Sequence, residues 1–167
     1  MKVKEQAFLD RIEQHKGILF KVSKMYMDNK DDQEDLFQEI VYQLWNAFES
    51  FKGESQFSTW MYRVAINTAI VFLKKEKRKL DKYELSSTNI CEEESDVDEK
   101  EKQIELFYKA VQQLEKIDKA IIFYQLEGFS HREIGENLGI SEGNARVKLN
   151  RAKEKLKEII KNQGYGF

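Results

Sequence analysis

One segment constrains the fold of this chain more than any other: residues 130–160, SHREIGENLGISEGNARVKLNRAKEKLKEII, have the pattern of two helices joined by a tight turn. Ser130 opens a Ser-x-x-Glu capping box and predicts the start of the first helix. Gly139 follows where helices commonly end on a left-handed residue, and Ser141 is a suitable N-cap for the second helix. Gly135 is small where two crossing helices would approach closely. The segment predicts a helix-turn-helix, a motif whose second helix lies in the DNA major groove.

The second of these helices has one apolar side and one basic side. Its apolar residues recur at spacings of four and three and predict one stripe that faces a core. The residues of this stripe are Ala145, Leu149, Ala152, Leu156 and Ile159. Between positions 144 and 161 there are seven basic and two acidic side chains. Such a face can be an ordinary solvated surface, but the turn that precedes it favours DNA binding.

The rest of the sequence favours an all-helical protein. The chain has 167 residues, 41% of them hydrophobic, and no proline. Because proline interrupts helices, its absence and the helical spacing of the apolar positions predict helices along the chain. No apolar run approaches the ~20 residues that cross a bilayer, and the polar N-terminus does not have the pattern of a signal peptide. The single cysteine, Cys91, excludes an internal disulfide, and we expect a cytoplasmic protein.

Two regions of helical periodicity flank an acidic stretch that lacks it. Residues 1–80 predict three helices with a loop at 52–55. Residues 81–103 contain the helix-breaking run SSTN and a dense block of acids, so this stretch has too few apolar side chains to order itself and predicts a flexible linker. Residues 104–167 predict four helices, the last two forming the helix-turn-helix. We therefore expect two small helical domains joined by an acidic linker.

Aromatic and basic residues alternate around the third predicted helix. The aromatic residues are Phe48, Phe51, Phe57, Trp60, Tyr62 and Phe72. Rings beside cations suit single-stranded nucleic acid, because every base offers a π-face and every linkage a negative charge. The same rings could instead form the core of a small helical domain. For Trp60 the sequence leaves both interpretations open.

Three stretches resemble a known family. They are DQEDLFQEIVYQLW from Asp32, FKGESQFSTWMYRVAINTA from Phe51, and LEGFSHREIGENLGISEGNARVKLNRAKEKLK from Leu126. In this order and at these separations they resemble regions 2.2, 2.3–2.4 and 4 of sigma-70 family factors. The chain length, without room for regions 1 or 3, resembles the extracytoplasmic-function (ECF) group. The resemblance implies an all-α protein in which residues 1–80 form region 2 and residues 104–167 form region 4.

The resemblance also implies three functional surfaces. The helix after Asp32 would dock on the clamp helices of the β′ subunit of core RNA polymerase. Its polar contacts would be Asp35, Gln38 and Glu39. The residues expected at the melted −10 element are Lys52, Gly53, Glu54, Ser55, Trp60, Arg63 and Asn67. The residues expected at the duplex −35 element are Ser141, Asn144, Arg146, Val147, Lys148, Asn150 and Arg151. An anti-sigma factor is the regulator that the resemblance implies.

The chemistry expected at the two promoter elements differs. At the −10 element the loop would receive a base flipped out of the opening duplex, with Gly53 allowing the tight turn and Trp60 supporting the separated strands. Flipping a base costs a few kcal/mol, which stacking of ~1–3 kcal/mol per base could offset. At the −35 element Arg146 and Arg151 would contact guanine or phosphate, and Asn150 would contact adenine.

The chain departs from the family pattern at two places. Family members usually carry a proline at the start of the second helix of region 4, where this chain has Lys116-Ile117-Asp118. We expect Asp118 to cap that helix instead. The recognition helix has the sequence NARVK from Asn144, where TVKSR is typical, which predicts a promoter preference of its own.

Other classes of protein fit the sequence less well. His15 and His131 are isolated, one cysteine cannot build a metal cluster, and no glycine-rich phosphate loop occurs, so we expect neither an enzyme nor a cofactor. A stand-alone helix-turn-helix regulator would bind duplex DNA only, so residues 52–67, with their aromatic and basic side chains, would have no function in it. An antagonist that mimics a sigma factor would tolerate loss of the basic residues, yet Arg63 and Arg146 are both present.

Overall fold

The computed structural model describes the backbone of residues 2–82 and 98–164, and the side chains of residues 2–78 and 98–164. Within these ranges the chain is helical and has no strand, which confirms the predicted all-α class. The elements are α1 (Lys2–Tyr26), α2 (Lys30–Ala47), a 3₁₀ turn (Phe48–Ser50), α3 (Phe57–Lys82), α4 (Glu99–Gln112), α5 (Lys116–Leu126), α6 (His131–Leu138) and α7 (Glu142–Asn162). None of the described helices is long and apolar enough to cross a membrane. Cys91 and most of the predicted linker lie outside the described residues.

Helices α1, α2 and α3 pack around one apolar core in the N-terminal half. Leu19, Leu36, Leu44, Met61 and Ile66 are fully buried in it. Burying a side chain of this size stabilises the fold by about 1.5–3 kcal/mol. The core therefore holds α2 and α3 in a fixed relation, with the polar side of each helix turned outward.

The helix-turn-helix has the local geometry that its sequence predicts. Ser130 Oγ accepts the backbone N–H of Glu133 at 3.2 Å, and Glu133 Oε2 accepts the Ser130 N–H at 2.7 Å, which confirms the capping box. Gly139 ends α6 with φ +70°, and Ser141 Oγ accepts an N–H of α7 at 3.1 Å. A Cβ atom at Gly135 would lie 2.7 Å from a carbonyl oxygen of the turn, so the expected close approach is also confirmed.

We expect Gly135→Ala to lower the free energy of unfolding by about 1–3 kcal/mol, because the backbone of the turn would have to shift to admit the methyl group. Gly17→Ala is the matched control. Gly17 is also helical, but a Cβ there would meet no atom within 4 Å, so this change should raise the free energy of unfolding by up to about 1 kcal/mol. Chemical denaturation of both variants measures the two signs, and equal signs would contradict the close approach.

The predicted cap at Asp118 is wrong. Helix α5 begins at Lys116, with Glu115 as its N-cap and no side-chain hydrogen bond at that cap. Asp118 therefore lies inside the first turn, where its carboxylate can turn towards a neighbouring helix. It accepts a hydrogen bond from Lys155 Nζ at 2.8 Å and ties α5 to α7.

Helices extend into the predicted linker, residues 81–103, from both sides. Helix α3 continues to Lys82, and α4 begins at Glu99, so residues 99–103 are helical. Acidic side chains in a first turn interact favourably with the N-terminal end of the helix dipole, and Glu99 and Glu101 occupy that turn. The charge that predicts disorder in a loop thus suits the start of a helix. Residues 83–97 lie outside the described residues.

The two halves of the chain contact each other through α1, α3, α4 and α5. The Tyr26 hydroxyl donates to the carbonyl oxygen of Lys116 at 2.9 Å. Gln112 Nε2 donates to the carbonyl oxygens of Lys24 and Met27 at 2.9 and 3.0 Å. The buried Lys119 ammonium lies 5.4 Å from the centroid of the Tyr26 ring, and burial lowers the pKa of Lys119. These contacts join the N-terminal bundle to the helices that support the helix-turn-helix.

Candidate nucleic-acid and polymerase interfaces

The outer face of α7 presents the side chains expected at a −35 element. Arg146, Val147, Asn150 and Arg151 are exposed, and Lys148 is half-buried. The opposite stripe is buried or half-buried as predicted, with Ala145, Leu149 and Ala152 in the core and Leu156 and Ile159 at its edge. Packing of the apolar stripe therefore fixes which side of α7 is available to DNA.

Acidic side chains lie beside part of this basic face. Arg151 and Lys155 line a groove together with Glu115 and Asp118, which lie at the start of α5. The hydrogen bond that Lys155 donates to Asp118 raises the pKa of Lys155. Arg146 lies 3.7 Å from Glu142 within α7. Among the predicted −35 residues, Ser141 uses its hydroxyl oxygen to cap α7. We therefore expect it to contact DNA through backbone N–H groups at the start of the helix.

The loop before α3 has the shape expected of a tight turn. Residues 52–56 are exposed, and Gly53 has φ +75°, a conformation that L side chains rarely adopt. Trp60 is half-buried, with its ring centroid 5.2 Å from that of Phe51 and 5.3 Å from that of Phe57. The three rings therefore pack on one another like core side chains. Each ring is also partly exposed, and Phe51 and Phe57 flank the loop directly in the sequence.

Two polar residues of α3 face outward, and one of them contacts the helix-turn-helix. Arg63 and Asn67 are both exposed. Arg63 donates from Nε and Nη2 to Asn137 Oδ1 of α6 at 3.0 and 2.8 Å. The residue expected on the −10 strand thus contacts the domain expected on the −35 duplex. No periodicity or motif in the sequence indicates Asn137.

Glu127 makes a further polar connection between the two halves. Its carboxylate accepts from the Tyr62 hydroxyl at 2.7 Å and from Lys21 Nζ at 3.0 Å, and its side chain is only 18% exposed. Burial and this hydrogen bond raise the pKa of Tyr62. A cavity of about 460 Å³ opens beside the group and is also lined by His15. Glu127 lies just after α5, where the sequence offers no signal for a long-range contact.

The outer face of α2 carries the residues expected at the polymerase. Asp35 and Gln38 are exposed, while Glu39 is half-buried and accepts from the Gln43 amide at 2.9 Å. Tyr42 is 58% exposed and continues the same face at helical spacing. Tyr42 was not among the residues predicted for this face, although its position four residues after Gln38 places it on the same side of the helix.

Family models match both halves of the chain. Sigma-70 region 2 matches residues 11–79, and sigma-70 region 4 matches residues 104–156. The ECF RNA polymerase sigma-E factor of Haemophilus influenzae is 27% identical over 179 residues, which cover 93% of this chain and 95% of that protein. The protein of the same name from Escherichia coli (strain K12) is 28% identical over 137 residues, 75% of this chain and 72% of that protein.

Solved structures of low sequence identity share the fold. The sigma factor RpoE from Bartonella quintana, in its co-crystal structure with the anti-sigma factor NepR, has a TM-score of 0.71 and 22% identity over 93% of this chain and 98% of its own. CnrH in complex with the cytosolic domain of CnrY has a TM-score of 0.62 and 18% identity over 95% and 90%. Because regions 2 and 4 both match, in order, and the similarity to ECF factors runs nearly the whole length, the chain belongs to the sigma-70 family, in its extracytoplasmic-function group.

Proposed function

We propose that this chain binds core RNA polymerase and directs it to promoters, reading a −35 element as duplex and a −10 element as a melted strand. The observation that carries the proposal is the presence of regions 2 and 4 in one chain, each with an exposed polar face suited to nucleic acid. Polymerase supplies the chemistry, and the chain acts with it in the cytoplasm. We assign residues 1–80 to region 2 and residues 104–167 to region 4; of the linker predicted at 81–103, residues 81–82 belong to α3 and residues 99–103 to α4.

The polymerase contact is assigned to the outer face of α2. Asp35 and Gln38 are exposed and offer polar groups to the β′ clamp helices, while Glu39 adds charge beside them. We add Tyr42 to this face, because an exposed tyrosine supplies apolar area and a hydroxyl group together. An acidic face of this kind steers association and sets the register on a basic partner.

The two DNA contacts use different physics. On the −35 duplex, Arg146 and Arg151 donate hydrogen bonds to guanine or phosphate. Asn150 forms hydrogen bonds with adenine, and Val147 makes an apolar contact with a thymine methyl group. Lys148 adds positive charge, and the α7 start at Ser141 and Asn144 offers backbone N–H groups to phosphate.

On the −10 element the exposed loop receives a flipped base, and the helix after it lines the separated strand. The loop residues are Lys52, Gly53, Glu54 and Ser55, all exposed. Trp60 borders the loop with its half-buried ring, and Arg63 and Asn67 face outward from the same helix. Stacking on such a surface contributes about 1–3 kcal/mol per base.

Reading both elements requires the two halves to separate. The nominal −35 and −10 positions lie about 25 base pairs apart, or about 85 Å along B-DNA at 3.4 Å per base pair. In the structure, Arg63 Nη2 is 2.8 Å from Asn137 Oδ1 of α6, so the −10 surface is held against the domain that carries the −35 surface. The contacts of Arg63 and Glu127, and those of Tyr26 and Gln112, must therefore break before one chain can occupy both elements. We also infer that an anti-sigma factor regulates the chain, as the complex from Bartonella quintana supports by analogy.

Run-off transcription with purified bacterial core polymerase over a fragmented genomic template tests the proposal. We expect transcripts from discrete start sites that depend on this chain and share −35 and −10 sequences. Core polymerase alone is the control. Absence of such transcripts, with duplex binding retained without core, would favour a stand-alone helix-turn-helix regulator instead.

We expect Arg151→Ala to weaken holoenzyme binding to the −35 duplex and to lower the salt dependence, since each phosphate contact contributes about 0.9 to the slope of log K against log salt. Titration of a duplex oligonucleotide at several salt concentrations measures both quantities. Arg132→Ala is the control, because Arg132 is exposed on α6 and paired with Glu136. An unchanged slope for Arg151→Ala would remove that residue from the phosphate contacts.

A further inference from the structure

A cation on α1 lies across the loop that we assign to the −10 element. The guanidinium carbon of Arg11 is 5.7 Å from the ring centroid of Phe51 and 5.1 Å from that of Phe57. Phe51 immediately precedes the exposed loop 52–56, and Phe57 is the first residue of α3 after it. One side chain from outside the loop therefore contacts both of its ends.

We propose that Arg11 is a positioning residue of the −10 site, which fixes the separation of the two loop ends and thereby the shape of the pocket for the flipped base. The inference rests on the proposed function. The loop has little to hold it in itself: the side-chain hydrogen bond described within it runs from Ser55 Oγ to the carbonyl oxygen of Gln56 at 3.3 Å. Rigidity must then come from its anchors.

The contacts of Arg11 suit this role and no other that the structure describes. Arg11 is exposed and has no ion pair with a carboxylate among the described residues, so its cation–π contacts with the two rings are its described interaction. The rings of Phe51 and Phe57 also contact each other, with centroids 5.4 Å apart, and both contact Trp60. Arg11 thus joins α1 to the same aromatic group that borders the melted strand. The planes of the two rings are 84° apart, so the guanidinium meets them as a broad cation close to both, and the compact ammonium of a lysine would reach both less well.

The effect expected from Arg11→Ala is a loss of base discrimination. Cation–π contacts on two rings correspond to about a fivefold to thirtyfold change in an equilibrium constant. We therefore expect the preference for the favoured base over the other three, at the promoter position held by the loop, to fall by about that factor. Assembly with core polymerase should be unchanged, because Arg11 lies on α1 and the polymerase face is on α2.

Holoenzyme made from full-length chain and core polymerase is titrated with fluorescent single-stranded oligonucleotides that carry the non-template −10 sequence found by run-off mapping. Each position is tested with all four bases. Limited trypsin digestion of the free chain then measures cleavage after Lys52, which should accelerate in Arg11→Ala if the loop ends are released. Arg11→Lys retains the charge but places it on a smaller head group that reaches both rings less well, so it should show the same two changes to a smaller degree.

Lys24→Ala is the matched control. The Lys24 ammonium lies 4.6 Å from the ring centroid of Tyr108, in the last turn of the same helix and in contact with α4, and its loss should alter neither base preference nor cleavage at Lys52. Unchanged preference and cleavage in both Arg11 variants would overturn the inference. So would an equal loss for all four bases with a lower salt slope, which is the signature of a phosphate contact. If wild-type holoenzyme shows no −10 strand preference, the proposed function itself fails.

Discussion

A chain whose halves are tethered between positions 21 and 127 is expected to lose promoter-dependent transcription by at least about a hundredfold. Lys21 and Glu127 form an ion pair of 3.0 Å across the two halves, and neither belongs to a proposed binding surface. A Lys21→Cys, Glu127→Cys chain in a Cys91→Ser background can be joined by a short bismaleimide linker that contains a cleavable disulfide. The tether keeps regions 2 and 4 together, so one promoter element goes unread, and each lost base pair of recognition removes about 1–3 kcal/mol.

The control for the tether is a pair within one half. Lys4 and Glu49 also form an ion pair between distant positions, but both lie in the N-terminal bundle. The same linker between cysteines at those positions should leave transcription at the level of the unlinked chain. Reduction of the linker should restore transcription in the 21–127 variant. Full activity of that variant while still linked would refute the need for the halves to separate.

Trp60→Ala is expected to spare binding to core polymerase and to reduce open-complex formation by about fivefold to hundredfold. The reason is the loss of a stacking surface that contributes about 1–3 kcal/mol per base. Permanganate footprinting of the melted region measures the open complex, and a filter or fluorescence assay measures core binding. A template with a pre-melted −10 bubble should recover most of the lost signal, because strand separation is then already complete.

Two further variants separate stacking from stability. Trp60 packs on Phe51 and Phe57, so its removal also weakens the bundle. Trp60→Leu keeps much of the apolar packing but offers no flat face, and it should show the same open-complex defect. Trp45→Ala removes a ring that packs on Phe8, away from the loop, and should lower stability without that defect. Normal open complexes with Trp60→Leu would assign Trp60 to the core alone.

The parts of the fold that the sequence predicts are those decided by neighbouring residues. The capping box at Ser130, the left-handed Gly139 and the cap at Ser141 each depend on side chains within three or four positions. The same holds for the buried stripe of α7, which follows from helical spacing. Such features are legible because the interacting groups are close in the chain.

Predictions failed where a local rule competed with a distant partner or with helix electrostatics. Asp118 belongs to a residue type that often caps helices. Here it lies within the first turn of α5, and its carboxylate accepts a hydrogen bond from Lys155 of α7. Glu99 and Glu101 belong to a dense block of acidic residues that predicts disorder. In the structure they stabilise the first turn of α4, because they lie at the positive end of the helix dipole. In both cases the residue type was interpreted correctly and its environment was not.

The contacts between the two halves could not be predicted at all. Asn137 and Glu127 meet partners 74 and 65 residues away in the sequence. Their positions follow from how two separately specified bundles pack, which a single sequence does not encode in any short pattern. The placement of each polar residue on its own helix face was predictable, whereas its partner on the other bundle was not.

The bond between Arg63 and Asn137 bears on the order in which a transcription complex assembles. Nε and Nη2 of Arg63 are engaged by Asn137, so the −10 strand that we propose for Arg63 would compete with the chain's own α6 for these donors. Apparent affinity equals intrinsic affinity multiplied by the open fraction, and an open fraction of about one in a hundred would weaken −10 binding about a hundredfold. The α2 face with Asp35 and Gln38 stays exposed in the same closed arrangement. We therefore expect the chain to bind core polymerase first and a promoter afterwards. This order would keep the free protein from occupying DNA that it cannot transcribe.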